Sequence, residues 1–243
     1  MIQLRDYQER IASDASGKLQ EYGCCYLSME CRTGKTITAL SAADRFGAKS
    51  VLFVSKLKAI PSIQADYESL RPHYRMSIVN YESAHKMSGK YDLVILDEAH
   101  SLGAYPKPSK RAKSVKEICK DTPVLYLSGT PSPESYSQLF HQFWVCDFSV
   151  WKDYKTFYNW VHAGYVFVHQ RKVNGYMIND YSSADKRKID VDISHLFISY
   201  SQEQAGFSTN IREHVLTVPM KPITCQLIAT MRHDKVAEID GKV

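Results

Sequence analysis

Nowhere does the chain run the roughly 18 apolar residues that a helix needs to cross a bilayer. Its first residues, Met1-Ile-Gln-Leu-Arg-Asp6, lack the basic-then-apolar layout of a secretory leader. These two absences argue against a membrane partner and point to a cytoplasmic protein. The six cysteines, Cys24, Cys25, Cys31, Cys119, Cys146 and Cys225, form no C-x-x-C pair, and no Cys/His cluster has zinc-site spacing. Reduced thiols are therefore expected, and a structural zinc site is not. No internal repeat or low-complexity tract is present. Strong charge is lacking too: a formal net charge of +5 permits a nucleic-acid partner without demanding one. What remains is an ordinary globular composition, 243 residues with 44% hydrophobic and 23% charged, enough for one large or two small domains.

Short apolar strands alternate with helical patterns. After Leu4-Arg5-Asp6-Tyr7-Gln8 comes a helix to about Lys18. Cys24 to Met29, Ser50 to Ser55, Met76 to Asn80, Tyr91 to Asp97 and Val124 to Ser128 read as strands. Leu93 to Leu96 shows no polar alternation, the mark of a parallel sheet covered on both faces. Helices are expected from Thr36 to Ala43, from Pro61 to about Leu70, and over the basic segment Ser109 to Lys120. The alternation predicts a doubly wound, mostly parallel α/β domain over residues 1–150.

The pattern then changes. Aromatic residues from Tyr136 to Trp160 crowd a helical stretch, either as core packing or as a base-stacking platform. Asn174-Gly175 between alternating apolar residues signals a β-hairpin. Residues 182–188 read as a polar surface loop, Ile193 to about Phe207 as a helix, Val215 to Pro219 as a strand and Ile223 to about Val236 as a helix. Residues 151–214 are thus expected to form a helical and hairpin accessory region, and 215–243 a linker or the start of a truncated second lobe.

Chemistry gathers at three places. Met29-Glu-Cys-Arg-Thr-Gly-Lys-Thr36 ends as the phosphate-binding pattern G-x-x-x-x-G-K-[ST] does, with Met29 replacing its first glycine. Backbone N–H groups of Arg32, Thr33 and Gly34 and of the following helix would face the phosphates of ATP. Lys35 would add a positive charge there, and Thr36 would bind Mg²⁺. Asp97-Glu-Ala-His100 closes the most apolar strand. Asp97 there would hold Mg²⁺, and Glu98 would polarise an attacking water. Ser128-Gly-Thr-Pro131 closes the next strand, where small hydroxyl groups could sense the γ-phosphate; alone it is a plain Ser-Gly turn.

In this order the three strings resemble motifs I, II and III of superfamily 2 helicases and translocases, with a DEAH-type second motif. Arg5-Asp6-Tyr7-Gln8 resembles the adenine-recognising Q motif. The Leu-Arg-x-Tyr-Gln start, the Ser-Gly-Thr-Pro motif and the aromatic helices after it together most resemble the Swi/Snf-type branch, and compact phage and bacterial members are similar, including an Arg-Thr-Gly-Lys-Thr loop without the first glycine. The resemblance implies a RecA-like P-loop lobe with an insertion near its C-terminal end, acting in ATP-driven movement on DNA, for which duplex is favoured. It implies adenine contact by Gln8 and coupling by His100, Ser128, Gly129 and Thr130. It places Ser55, Lys56 and Tyr81 near backbone-tracking motifs, with Lys110, Arg111 and Lys113 adding salt-dependent affinity. It implies a second RecA-like lobe carrying arginine fingers, for which no matching string follows residue 136, so the chain is expected to be lobe 1 cut near the start of lobe 2, with a natural single-lobe protein as the alternative. The hairpin is either a DNA-gripping element or a structural insertion. A docking module retaining a P-loop, or a motor subunit of a restriction, repair or replication complex, stays open. Cys31, inside the loop, is expected to be a buried inert thiol, with redox sensitivity as the alternative.

Overall fold

Leu93–Asp97 is buried at every residue, because a parallel strand in mid-sheet shows both faces to the core. The computed structural model describes residues 3–173, 176–207, 219 and 221–234. It divides into two compact units, Met1–Phe207 and Ser208–Val243.

In the first unit, α1 (Asp6–Tyr22) leads to β1 (Cys24–Met29), and α2 (Lys35–Phe46) to β2 (Ser50–Ser55). Next come α3 (Ile60–Leu70), β3 (Arg75–Asn80), β4 (Leu93–Asp97), α4 (Lys110–Ile118) and β5 (Val124–Leu127). Short helices α5 (Leu139–Trp144) and α6 (Phe157–Trp160) precede a hairpin of β6 (His169–Val173) and β7 (Tyr176–Asp180). The unit continues with α7 (Lys186–Ile193) and β8 (Phe197–Tyr200). The main sheet has the order β3-β2-β4-β5-β1-β8, and each neighbouring pair in it is parallel. This is the parallel α/β domain that the strand pattern predicts, in the form of the RecA-like lobe that the resemblance implies.

Period-two alternation sorts the strand side chains into two cores. Leu27, Met29, Phe53 and Ile95 pack beneath Ile11, Ala15, Leu40 and Ile63 of the first three helices. Tyr26, Val54, Val94 and Tyr126 pack on the other face against Val115, Phe140, Phe143, Trp151 and Trp160. The aromatic stretch is therefore core: Phe140, Phe143, Trp151, Phe157 and Trp160 are buried, and Trp160 stacks on Tyr165 at 4.8 Å. Trp151 Nε1 and the Tyr165 hydroxyl both donate to Asp192, at 2.9 and 2.5 Å, which fastens α7 to this layer.

Two local readings are corrected. Residues 186–193 are a helix, not part of a loop, because Asp185 caps it by accepting the Lys188 N–H at 3.1 Å. The segment after Ile193 is not a long helix. A 3₁₀ turn, Ser194–Leu196, hands over to β8, which pairs with β1 from Tyr26↔Phe197 to Met29↔Tyr200. Residues expected to be accessory thus supply an edge strand to the main sheet. The hairpin pairs His169↔Asp180 through Val173↔Tyr176, while its Asn174-Gly175 turn lies outside the described residues. In the second unit α8 spans Pro222–Asp234; the expected strand lies outside the described residues but for Pro219. Among the described residues no helix is long and apolar enough to cross a membrane.

Candidate functional site

Parallel strands deliver their C-terminal ends to one edge, and there the expected residues meet. β1 runs into the loop Glu30–Gly34, and α2 begins at Lys35. The loop turns through left-handed conformations at Arg32 (φ 64°) and Gly34 (φ 78°). Two features favour glycine at position 34: its left-handed backbone, and the Gln8 amide, which a Cβ would displace. Thr33 is fully buried: its hydroxyl donates to the Glu30 carbonyl at 2.7 Å, so its side chain shapes the loop. Gln8 donates to the Thr33 carbonyl at 3.2 Å and accepts the Arg5 N–H at 2.9 Å. The helix-start string and the phosphate-loop string are therefore bonded to each other. Lys35 Nζ donates to the Met29 carbonyl at 3.3 Å.

Asp97 ends β4, with Glu98 next in a left-handed conformation (φ 52°). That backbone is costly for a residue with a Cβ. Burial pushes the Asp97 carboxyl above the ordinary carboxylate range, opposed by a 2.6 Å hydrogen bond from Ser55 Oγ and by the Lys35 charge. Burial likewise lowers the His100 imidazole below its usual value, against the pull of Glu98. His100 Nδ1 hydrogen-bonds Ser128 Oγ at 2.9 Å and lies 3.3 Å from Glu98 Oε2. Ser128 Oγ also accepts the Thr130 N–H at 3.1 Å. At Gly129 a Cβ would stand 3.3 Å from the Met29 carbonyl and 3.8 Å from Lys35 Nζ. The third motif thus closes on the first as well as the second.

A cleft of about 510 Å³ runs between Gln8, Lys35, Thr36, Asp97 and Glu98, with Arg5, Cys31 and Arg32 at its rim. Its size lies within the usual range for small-molecule sites. A larger cavity of about 620 Å³, beside Met87, Tyr91 and Ile118, lies before β4 and gathers none of the site residues. Cys31 is exposed, not buried.

The residues expected to track nucleic acid divide. Lys56, Lys110 and Lys113 are exposed. Ser55 and Tyr81 are not available: Ser55 is fully buried and spent on Asp97, and the Tyr81 hydroxyl donates to the Asp97 carbonyl at 2.6 Å. Ser55 thus supports the Asp97 carboxylate and Tyr81 the Asp97 backbone, both from inside. Arg111 lies over the Tyr81 ring at 5.2 Å and pairs with Glu82 at 2.6 Å. Lys116, further along α4, turns instead to Trp144, whose carbonyl it bonds at 2.8 Å. The basic segment therefore does not present one face.

The sequence reading missed Tyr7, Glu30 and Tyr200. Tyr7 stacks on Tyr200 at 4.5 Å and donates to the Thr33 carbonyl at 2.9 Å, while Glu30 accepts the Gln202 N–H at 2.8 Å. No local signal could pair residues so far apart in the chain.

Comparison with known proteins bears on this arrangement. The family model described as SNF2-related domain matches residues 21–192. Among solved structures, the Sulfolobus solfataricus SWI2/SNF2 ATPase core domain superposes with a TM-score of 0.60 at 15% identity. That match covers 83% of this chain and 44% of the other, so this chain spans less than half of that structure's length. An ATP-dependent Type ISP restriction-modification enzyme, LlaBIII bound to DNA, gives a TM-score of 0.38 at 19% identity over 52% of this chain and 13% of that one. No curated protein matches the chain.

Proposed function

Because the chain belongs to the SNF2-related domain family, matched over residues 21–192, we propose that it is the ATP-binding lobe of an ATPase that moves on nucleic acid. The observation that carries this reading is the meeting of three strings at one edge of the sheet: Gly34–Thr36 and Asp97-Glu98 line one cleft, and Ser128-Gly129 closes on them through His100 and beside Lys35.

The side chains fit ATP and magnesium. Asp97 is a buried carboxylate whose single side-chain donor among the described residues is Ser55. It has a shortage of positive charge that a cation beside Thr36 would remedy. Lys35 rests on a neutral carbonyl, a weaker acceptor than a phosphate oxygen. Lys35 and the N–H groups from Arg32 to Thr36 hold the β- and γ-phosphates. Gln8 lies on the adenine side. Mg²⁺, held through Thr36 and Asp97, would neutralise charge on the phosphate oxygens. Glu98 orients and polarises the attacking water. His100, neutral near pH 7 because burial disfavours its charged form, accepts or donates one hydrogen bond with Ser128 and so relays position between the second and third motifs.

Nucleic acid, with duplex DNA favoured, contacts Lys56, Lys110, Arg111 and Lys113 through its backbone. Ser55, spent on the Asp97 carboxylate, and Tyr81, spent on the Asp97 backbone carbonyl, leave that set. The transition-state arginines come from a second RecA-like lobe across the cleft, so these 243 residues alone bind nucleotide and turn it over slowly. Titration of a fluorescent ATP analogue with Mg²⁺ tests the reading. Lys35→Ala should weaken binding by at least about tenfold, the loss of one charge-assisted phosphate contact. Equal affinity for both proteins sinks the phosphate-loop assignment.

A further inference from the structure

The turn that leaves β8 is fastened to the phosphate loop at both of the loop's shoulders. At the first shoulder the Glu30 N–H donates to the Tyr200 carbonyl at 3.0 Å, and the Glu30 carboxylate accepts the Gln202 N–H at 2.8 Å. At the second, Tyr7 reaches both partners: its ring stacks on Tyr200 at 4.5 Å with 16° between the planes, and its hydroxyl donates to the Thr33 carbonyl at 2.9 Å. The turn is itself a folded object. Gln204 accepts the Ser201 N–H at 2.8 Å through its side chain and the Tyr200 hydroxyl at 2.9 Å through its carbonyl, and Arg5 lies over the Phe207 ring at 5.6 Å.

We propose that Glu30 and Tyr7 are positioning residues that tie the phosphate loop to the turn Ser201–Phe207, so that a nucleotide's phosphates held by the loop are felt at Gln202. This rests on the nucleotide reading above. The physical argument starts at Lys35. Its ammonium is bonded to the Met29 carbonyl, one residue before Glu30. An anionic phosphate oxygen is a stronger acceptor than that carbonyl and takes the ammonium from it. The segment Met29–Glu30 is then held by phosphate through the loop N–H groups on one side and by Tyr200 and Gln202 on the other. Ordering the loop orders the Glu30 carboxylate, and with it the Gln202 N–H. The Tyr7 contact runs alongside, from Thr33 to the Tyr200 ring at the end of β8, while the Gln202 N–H itself is held by the Glu30 carboxylate.

Hydrogen exchange on the 243-residue chain, with and without a non-hydrolysable ATP analogue and Mg²⁺ at saturation, tests this. In the wild type, nucleotide should slow exchange about tenfold both at Gly34–Thr38 and at Gln202. Glu30→Ala should keep the slowing at Gly34–Thr38 and lose it at Gln202. Glu30→Gln, whose amide oxygen can still accept that N–H, should restore it, which a merely structural role for the side chain would not require. Slowing at Gln202 that survives in Glu30→Ala overturns the proposal. So does a wild type that is protected at Gly34–Thr38 and unchanged at Gln202. If nucleotide protects neither region, the nucleotide reading itself fails and takes this proposal with it.

Discussion

Replacing Gly34 by alanine should cost unit stability as well as nucleotide binding, and the structure says how much. Two terms add. The residue sits at φ 78°, where a Cβ costs about 1–2 kcal/mol. The new methyl would also stand 2.1 Å from Gln8 Nε2. That amide is the far end of a flexible side chain and can swing aside. It then forfeits its bonds to the Thr33 carbonyl and the Arg5 N–H, a further loss of about 1 kcal/mol. The sum is about 2–3 kcal/mol, which at a urea slope of about 2 kcal/mol per molar moves the unfolding midpoint down by about 1–1.5 M. The second term is shared with Gln8→Ala, which removes the same bonds. The double variant should therefore be about as stable as Gly34→Ala alone, a non-additivity of about 1 kcal/mol. Urea unfolding followed by tryptophan fluorescence on the four proteins gives the cycle. Costs that add to within about 0.5 kcal/mol would refute the claim that Gln8 and Gly34 compete for one space.

Other expectations follow from the same geometry. In a protein that also carries the second lobe, Glu98→Gln should bind ATP normally and lose ATPase activity by at least about 100-fold, read as single-turnover rates; retained turnover removes Glu98 from water activation. Burial holds the His141 imidazole down to about 4 from its ordinary 6.5, with its Nδ1 bonded to the Ala104 carbonyl at 2.6 Å. The unfolded chain then binds more protons than the folded one between those values. Stability is therefore full above about pH 6.5 and falls by about 3 kcal/mol on the way to pH 4. His100, also lowered by burial, adds in the same direction. Urea midpoints measured from pH 7.5 to 4.5 should show the decline, and His141→Gln should flatten it. Iodoacetamide should modify Cys31 and Cys225 in the native protein and spare Cys24, Cys25, Cys119 and Cys146, which are buried. Mass spectrometry of the alkylated chain reads this directly, and bound ATP should slow the reaction at Cys31, which lines the cleft.

Much of this protein is written locally. Short unbroken apolar runs rich in β-branched residues fit strands buried on both faces, so Ser50–Ser55, Leu93–Asp97 and Val124–Leu127 are legible without a fold. A parallel sheet brings the ends of such strands to one edge, so the order of the three strings already implied that Lys35, Asp97 and Ser128 would meet. The aromatic stretch left core packing and a base-stacking platform both open, and burial of Trp151 and Trp160 decides for core. Tertiary structure decided the rest, wherever a residue's role depends on what lies opposite it. Phe197–Tyr200 is half-buried at the sheet edge and carries little pattern of its own; only the free side of β1 makes it a strand. Ser55 ends β2 and Tyr81 follows β3, and the resemblance placed both near backbone-tracking motifs, yet Asp97 at the end of β4 takes a hydrogen bond from each and both lie inside. Cys31 is exposed because the loop bends outward through Arg32 and Gly34. The bond between Glu30 and Gln202 exists because β8 pairs with β1 in one register, and a slip by one residue would turn every side chain of β8 to the other face.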